Sequence, residues 1–102
     1  MKIQIHAPWE VNPYFTGLIQ KKVAKLYTFY ERIERADVYL KNREGEAIND
    51  KSVEIRLAIP GNDLFAEDRS DTVEKAFGGA IEKVRRQLVR QKEKWTEHRK
   101  VA

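Results

Sequence analysis

Residues 52–62 read S-V-E-I-R-L-A-I-P-G-N, in which apolar side chains occupy every second position from Val53 to Ile59. Because successive side chains of a β-strand point to opposite faces of the sheet, this spacing predicts a strand with one buried and one solvated face. Gly61 and Asn62 both tolerate positive φ, so a tight turn is expected after Pro60. A short edge strand should follow over residues 63–69.

Three further elements precede this strand. Residues 36–41 alternate in the same way and predict a second strand, and the polar residues 42–50 predict a mobile hairpin loop between the two. Residues 2–7 also alternate and predict a strand at the start of the chain. Between these strands, Asn12-Pro13 is a helix start, because asparagine accepts from free backbone donors and proline at the first helical position loses no hydrogen bond. Apolar residues at three- and four-residue spacing extend this helix to about Tyr30.

A second helix is predicted from about Thr72 toward Arg99. Ser70 and Asp71 are candidate N-caps, and Glu74 completes a capping-box pattern with Asp71. The apolar stripe of this helix consists of Val73, Phe77, Ile81, Val84, Leu88 and Trp95. The pair Gly78-Gly79 disfavours a helix by about 1 kcal/mol per residue relative to alanine, so we expect a close approach to the sheet or a local bend there.

The predicted order of elements, β-α-β-β-β-α, indicates an α+β fold. The economical arrangement is a two-layer sandwich, in which a four-stranded sheet carries both helices on one face and the first crossover is right-handed. The 102 residues suffice for a single domain over residues 1–102. No stretch has the length of a signal peptide's apolar region or of a membrane span, and the chain contains no cysteine. We therefore expect a cytoplasmic protein.

Motifs for catalysis, metals and cofactors are lacking in the sequence. His6 and His98 have no ligand partner four residues away, and neither a P-loop, a G-x-G-x-x-G nor a G-x-S-x-G pattern occurs. The carboxylates between Asp63 and Asp71 suit a turn, a solvated edge strand and a helix cap. The sequence therefore predicts a protein that is not an enzyme and that needs no metal or cofactor.

Positive charge is concentrated at the end of the chain. Residues 1–82 contain 12 basic and 14 acidic side chains, whereas residues 83–102 contain 8 basic and 2 acidic ones. On a helical wheel, one cationic ridge of the second helix consists of Lys83, Arg86, Arg90 and Lys94. A second row on the other side of the apolar stripe consists of Arg85, Lys92 and Arg99. The first helix adds Lys21 and Lys25, one turn apart, with Lys22 nearer its apolar edge. This pattern predicts binding to a polyanion, and nucleic acid is favoured over a membrane because the core needs the apolar stripe.

Three tracts resemble one known family. Residues 81–94, I-E-K-V-R-R-Q-L-V-R-Q-K-E-K, resemble the last helix of the ribosome hibernation-promoting factors, which are also called ribosome-associated inhibitors or sigma-factor modulation proteins. Residues 21–26, K-K-V-A-K-L, followed by F-Y-E-R-I at 29–33, resemble the family's first helix and its exit. Residues 61–66, G-N-D-L-F-A, are similar to the family's turn into the fourth strand. The resemblance covers essentially the whole chain.

This resemblance implies a fold like that of double-stranded-RNA-binding domains and a partner, the small ribosomal subunit. Family members occupy its decoding region when cells stop growing and overlap the paths of messenger and transfer RNA, so translation is silenced by occupancy without chemistry. The RNA contacts that the resemblance implies are Lys22, Lys25, Lys83, Arg86, Arg90, Lys92 and Lys94. The helical wheel alone adds Lys21 and Arg85. Recognition is expected to depend on RNA shape and phosphates.

Three departures from the family pattern limit what the resemblance implies. Gln91 and Trp95 stand where the family often has His and Leu, which affects local contacts more than function. Ala7-Pro8-Trp9-Glu10 replaces the usual glycine-containing exit from the first strand. The sequence ends at Ala102, without the dimerisation domain of long members or the extended tail of inhibitor-type short members. We therefore expect a short hibernation-promoting type that is a monomer off the ribosome.

Two other functions remain open from the residues themselves. The basic ridge is also suited to a general structured-RNA-binding or chaperone module, which bulk duplex RNA would displace as readily as ribosomal subunits. It also suits an interaction protein that regulates a transcription factor through an acidic protein surface, a complex that nuclease treatment would leave intact.

Overall fold

The computed structural model describes residues 1–42 and 51–101, with the side chains described as far as Lys94. The elements are β1 (Lys2–His6), α1 (Pro13–Phe29), β2 (Arg35–Asn42), β3 (Lys51–Ile59), β4 (Asn62–Ser70) and α2 (Val73–Val101). The predicted order of strands and helices is thus confirmed, as is the α+β class. The predicted mobile loop lies between β2 and β3, and its residues 43–50 are outside the described part of the chain.

The four strands form one sheet in the order β1-β2-β3-β4. β1 pairs with β2 in parallel, as a β-α-β crossover requires, and the other two pairs are antiparallel. β4 lies at the edge, as predicted, but it is not short. Its nine residues pair with β3 from Ile59↔Asn62 to Lys51↔Ser70, because Gly61 takes a φ of 95° and closes the turn directly after Pro60.

Local side-chain chemistry determines where each helix begins. The side chain of Asn12 accepts a hydrogen bond from the backbone nitrogen of Tyr14 at 2.7 Å, and Pro13 stands at the first helical position, as predicted. α2 differs from the expectation. Its cap is Thr72, whose hydroxyl oxygen accepts from the nitrogen of Lys75 at 3.1 Å. The predicted capping box between Asp71 and Glu74 is wrong, because α2 begins at Val73 and places Asp71 before the cap.

The core lies between the sheet and the two helices. α1 supplies Phe15, Ile19, Val23 and Leu26, and α2 supplies Ala76, Phe77, Ala80, Val84 and Leu88, all buried. The rings of Phe15 and Phe77 meet edge to face, with centroids 6.0 Å apart, where the two helices adjoin. α1 also contacts β1, and α2 lies over β3 and β4. The side chain of Trp95, which was predicted to extend the stripe of α2, is outside the described part.

Side chains of α2 also cover the exposed edge of β4. The amide nitrogen of Gln87 donates to the carbonyl oxygen of Phe65 at 2.8 Å, and Nζ of Lys83 donates to that of Glu67 at 3.1 Å. These two carbonyls would otherwise be free to pair with another strand. The sheet edge and the basic helix are therefore tied together.

Within residues 1–42 and 51–101, no helix is long and apolar enough to cross a membrane. Among the described side chains, those of residues 1–42 and 51–94, no group of three or more histidine, aspartate or glutamate side chains is placed to hold a metal ion.

Candidate nucleic-acid interface

The basic side chains of α2 lie on the two flanks of its buried stripe, as the helical wheel predicts. Lys83 lies beside β4, and Arg86, Arg90 and Lys94 lie with it within about 80° on the helical wheel; we call these four residues the outer ridge. Arg85 and Lys92 share the opposite flank, beside α1. The side chain of Arg99, predicted to continue that second row, is outside the described part of the chain. α2 therefore presents positive charge in two directions.

The members of the outer ridge differ in how freely they meet solvent. Nζ of Lys83 lies 3.1 Å from a carboxylate oxygen of Asp68 and is also bonded to β4, so this ammonium is held at the sheet edge. Arg86 is 68% exposed and lies 3.7 Å from Glu82. Arg90 and Lys94 are exposed, and neither forms an ion pair with another residue in the part that the structure describes. Three cationic groups of the outer ridge, those of Arg86, Arg90 and Lys94, are therefore available for a ligand; we call these three residues the distal outer ridge.

A groove separates α1 from the middle of α2, and we call it the interhelix groove. It encloses about 230 Å³ and is lined by Lys22, Lys25, Leu26, Phe29, Ile81, Glu82 and Arg85. Apolar side chains of both helices form its floor, and three cations and one carboxylate stand around it. The fold therefore brings together Lys22, Lys25 and Arg85, which are far apart in sequence.

Arg85 and Glu82 form a two-point ion pair at this groove. Nη2 of Arg85 donates to one carboxylate oxygen of Glu82 at 2.7 Å, and Nε donates to the other at 3.3 Å. These hydrogen bonds lower the pKa of Glu82 and raise the pKa of Arg85 from their ordinary values. Because Arg86 approaches the same carboxylate, Glu82 partly neutralises the middle of α2.

Lys92 has a structural partner at the end of α1. Its Nζ donates to the carbonyl oxygen of Phe29 at 3.0 Å and lies 4.5 Å from the centre of the Phe29 ring. α1 has no basic residue in its own last turn, so Lys92 supplies the positive charge that the carbonyl end of a helix favours.

Lys21 is exposed on α1 and does not line the interhelix groove.

The face of the sheet opposite the helices carries a row of stacked side chains. The rings of His6 and Tyr39 stack 4.6 Å apart, and the guanidinium of Arg56 lies about 6 Å from both the Tyr39 and the Phe65 rings. The alternation of the strands predicts this face only as solvated. The alternation of β2 and β3 places these residues on one face, but their mutual contacts depend on the strand register.

Asp37 is the one carboxylate buried beneath this row in the described residues, at 8% exposure. Burial opposes its ionisation. Hydrogen bonds from Arg35 at 2.8 Å and from Nε2 of His6 at 3.0 Å, together with the charge of Arg35, nevertheless hold the pKa of Asp37 below its ordinary value. Its hydrogen bond with His6 therefore links the first residues of β2 to the last residue of β1.

Both basic surfaces lie in the part of the chain that matches a known family. The profile of the family described as "Sigma 54 modulation protein / S30EA ribosomal protein" matches residues 3–96, which include the interhelix groove and the whole outer ridge. The chain belongs to this family. The resemblance found in residues 21–33, 61–66 and 81–94 is thereby confirmed.

Two bacterial members of the sigma 54 modulation protein family show the same relationship at the level of sequence. A ribosome hibernation promoting factor of Salmonella typhimurium is 30% identical over 89 residues, which are 87% of this chain and 90% of that protein. The factor of the same name from Klebsiella oxytoca is 28% identical over the same span.

Solved structures confirm the family fold. A ribosomal subunit interface protein from Coxiella burnetii superposes with a TM-score of 0.80 at 21% identity, covering 91% of this chain and 99% of the other. The N-terminal domain of Protein Y from Thermus thermophilus superposes with a TM-score of 0.69, also at 21% identity, covering 87% and 93% of the two chains. The likeness to double-stranded-RNA-binding domains stays a prediction.

Proposed function

We propose that this protein is a ribosome hibernation factor that occupies the decoding region of the small ribosomal subunit and blocks messenger and transfer RNA. The observation that carries the proposal is the distal outer ridge, where Arg86, Arg90 and Lys94 are exposed on one flank of a helix. Family membership and the names of the two bacterial relatives support ribosomal RNA as the polyanion.

The mechanism requires no chemical step. Arginine and lysine side chains neutralise phosphates and release counterions, which gives affinity without reading base sequence. A duplex RNA helix offers its shape and phosphates rather than its deep major groove, so a rigid helix with cations on its flank is a suitable partner. Occupancy of the decoding region then excludes the ligands that initiate translation.

In this proposal, the two basic surfaces contact different segments of ribosomal RNA. The outer ridge and the interhelix groove lie on different sides of α2 and meet at Glu82, which pairs with both Arg85 and Arg86. α2 then lies between two such segments. Lys22, Lys25 and Arg85 contact one segment, and Arg86, Arg90 and Lys94 contact the other. Lys83 and Lys92 already have protein partners, so their contribution comes chiefly from holding α2 against β4 and α1. Lys21 extends the cationic surface of α1.

The remaining features of the proposal follow from the same function. The protein acts as a single domain over residues 1–102, as a monomer off the ribosome, and in the cytoplasm, where its target is. It acts during stationary phase or stress, and no residue is assigned a catalytic role.

Co-sedimentation with purified small subunits tests the proposal. The protein is incubated with subunits across a salt series, with and without pre-bound messenger and initiator transfer RNA. Binding that survives moderate salt and is excluded by those ligands supports occupancy of the decoding region. Binding that ignores them, or that bulk duplex RNA displaces equally well, indicates a general RNA-binding module instead. A complex with protein that resists nuclease would favour the regulator of a transcription factor.

A further inference from the structure

A second cavity lies between the N-terminal ends of the two helices. It encloses about 540 Å³, a size typical of small-molecule sites. It is lined by six apolar or aromatic residues and four polar ones: Trp9, Val11, Tyr14, Phe15, Leu18 and Val73, with Asn12, Asn42, Lys51 and Glu74. We call it the aromatic pocket.

Two of the three aromatic residues that line this pocket are exposed. Tyr14 is 83% exposed, the highest value among the large hydrophobic residues of the described chain, and Trp9 is 37% exposed. Trp9 belongs to residues 7–10, the stretch that the sequence leads us to expect to depart from the family's usual exit from the first strand. The stability of the core does not explain Tyr14, because Phe15 and Ile19 provide the buried stripe of this part of α1.

The aromatic pocket adjoins the cationic groove. Leu18 lines the pocket and Lys22 lines the interhelix groove, and these residues are one turn apart, about 6 Å along the axis of α1. On α2, Val73 lines the pocket and Ile81 lines the groove. A ligand that occupies both sites would need a planar apolar group for the aromatic pocket and, close to it, negative charge for the cations of the interhelix groove.

We infer that the aromatic pocket receives an unpaired nucleobase of an RNA strand whose phosphates contact Lys22 and Lys25. This inference rests on the proposed function for its choice of RNA. Every nucleobase has a planar face that stacks on aromatic side chains, and stacking tolerates any sequence. Asn42 and Glu74 both line the pocket. The amide oxygen of Asn42 accepts from Nζ of Lys51 at 2.8 Å, so its amide nitrogen and the carboxylate of Glu74 are the groups that can hydrogen-bond to a base edge. An apolar peptide would use the pocket but has no need of the adjacent cations.

Tryptophan fluorescence tests the inference directly. The protein has two tryptophans, so Trp95→Phe leaves Trp9 as the reporter. The variant is titrated with a short single-stranded RNA and, separately, with an abasic phosphodiester chain of the same length and charge. We expect the RNA to quench Trp9 and the abasic chain to leave it unchanged. Equal quenching by both chains, or none by the RNA, would overturn the inference.

Two substitutions on α1 separate stacking from charge. Tyr14→Ala should weaken RNA binding about 5- to 150-fold, as expected for the loss of one aromatic stacking partner, with no change toward the abasic chain. Tyr27→Ala is the matched control, because Tyr27 is 39% exposed on the same helix and lines neither cavity. Filter binding with the parent tryptophans retained gives the same comparison without fluorescence. Equal RNA affinities of Tyr14→Ala and Tyr27→Ala would contradict the nucleobase assignment.

The same variants distinguish this inference from the proposed function. If small subunits bind the parent and Tyr14→Ala equally well, the aromatic pocket is not a nucleobase site and the proposed function stands. If the parent does not bind subunits but single-stranded RNA quenches Trp9 and the abasic chain does not, the pocket assignment stands and the proposed function fails.

Discussion

Gly79 of α2 lies directly against the carboxylate of Asp68 in β4, so closely that a Cβ atom at position 79 would overlap that carboxylate. The same carboxylate is held by Nζ of Lys83 at 3.1 Å, one turn further along α2. Nothing lies within 4 Å of a Cβ built at Gly78. The close approach that the Gly78-Gly79 pair predicts is therefore found at Gly79, and it lets α2 carry its basic flank over the edge of β4.

Alanine at the two glycines should have opposite consequences. Gly78→Ala should stabilise the protein by about 0.5–1 kcal/mol, because alanine is the better helix former and no neighbour is displaced. Gly79→Ala should be the less stable of the two by at least about 1 kcal/mol, because the Asp68 carboxylate must move away from Lys83. Urea unfolding of both variants measures the difference. In an Asp68→Ala background the difference should shrink, and equal stabilities in the parent background would refute the contact.

Reversal of charge on the outer ridge tests the proposed RNA contact. Arg86→Glu together with Arg90→Glu should weaken binding to small subunits and flatten its salt dependence, by about 0.7 to 0.9 in the logarithmic slope for each lost phosphate contact. Both side chains are exposed, so the variant should remain folded. Co-sedimentation at several salt concentrations provides the slope.

A control for net charge uses residues outside the two basic surfaces. Lys2→Glu together with Arg32→Glu changes the total charge by the same amount, and both residues are exposed and lie outside α2 and the interhelix groove. This pair should leave the salt slope close to that of the parent. If both double variants lower the slope equally, the interaction depends on total charge and the ridge has no special role.

Lys92 should contribute to stability independently of RNA. Lys92→Ala removes the hydrogen bond to the Phe29 carbonyl and the contact with its ring, and we expect a loss of about 1 kcal/mol in the free energy of unfolding. Lys94→Ala, two residues later on the same helix, removes an exposed cation with no ion pair in the described part and should be nearly neutral. Thermal unfolding without RNA compares the two, and equal melting temperatures would show that the Lys92 contacts stabilise nothing.

The sequence predicts the features that depend on near neighbours. Alternation placed β1, β2 and β3, Asn12-Pro13 started α1, and the helical wheel separated the two basic flanks of α2. It could not assign the partners of Lys83 and Lys92, because their acceptors, the carbonyls of Glu67 and Phe29, lie 16 and 63 residues away and meet these ammonium groups only after packing. The predicted start of α2, at about Thr72, is one residue earlier than the observed start at Val73. Ser70, Asp71 and Thr72 can all cap a helix, and the sequence does not show that β4 extends to Ser70.

The aromatic pocket was not predicted for a related reason. The expected departure of residues 7–10 from the family pattern points to Trp9, and a helical wheel places Tyr14 away from the buried stripe of α1. Neither signal shows that the two rings share a cavity, because that depends on how the start of α2 packs beside the start of α1. Local sequence patterns therefore predict which cations share a flank of one helix, but they do not predict a cavity that forms between two helices.

Acid should weaken the junction of β1 and β2 through Asp37. Its pKa is held below the ordinary value near 3.9, mainly by Arg35 and His6 against the cost of burial. A carboxylate with a lowered pKa stabilises the fold above its unfolded pKa, and this contribution is lost as the pH falls through the folded pKa. Asp37→Asn should therefore be less stable than the parent at pH 7, and the gap should narrow below about pH 4.

Urea unfolding of the parent and of Asp37→Asn at pH 7, 5, 4 and 3 measures that gap. Glu31→Gln is the control, because Glu31 is exposed and its substitution should shift the curve little at any pH. A gap that stays constant down to pH 3 would mean that the ionised carboxylate does not hold the junction. In that case the stacked His6 and Tyr39 rings, with centroids 4.6 Å apart, would be the main side-chain contact between β1 and β2 on the open face of the sheet.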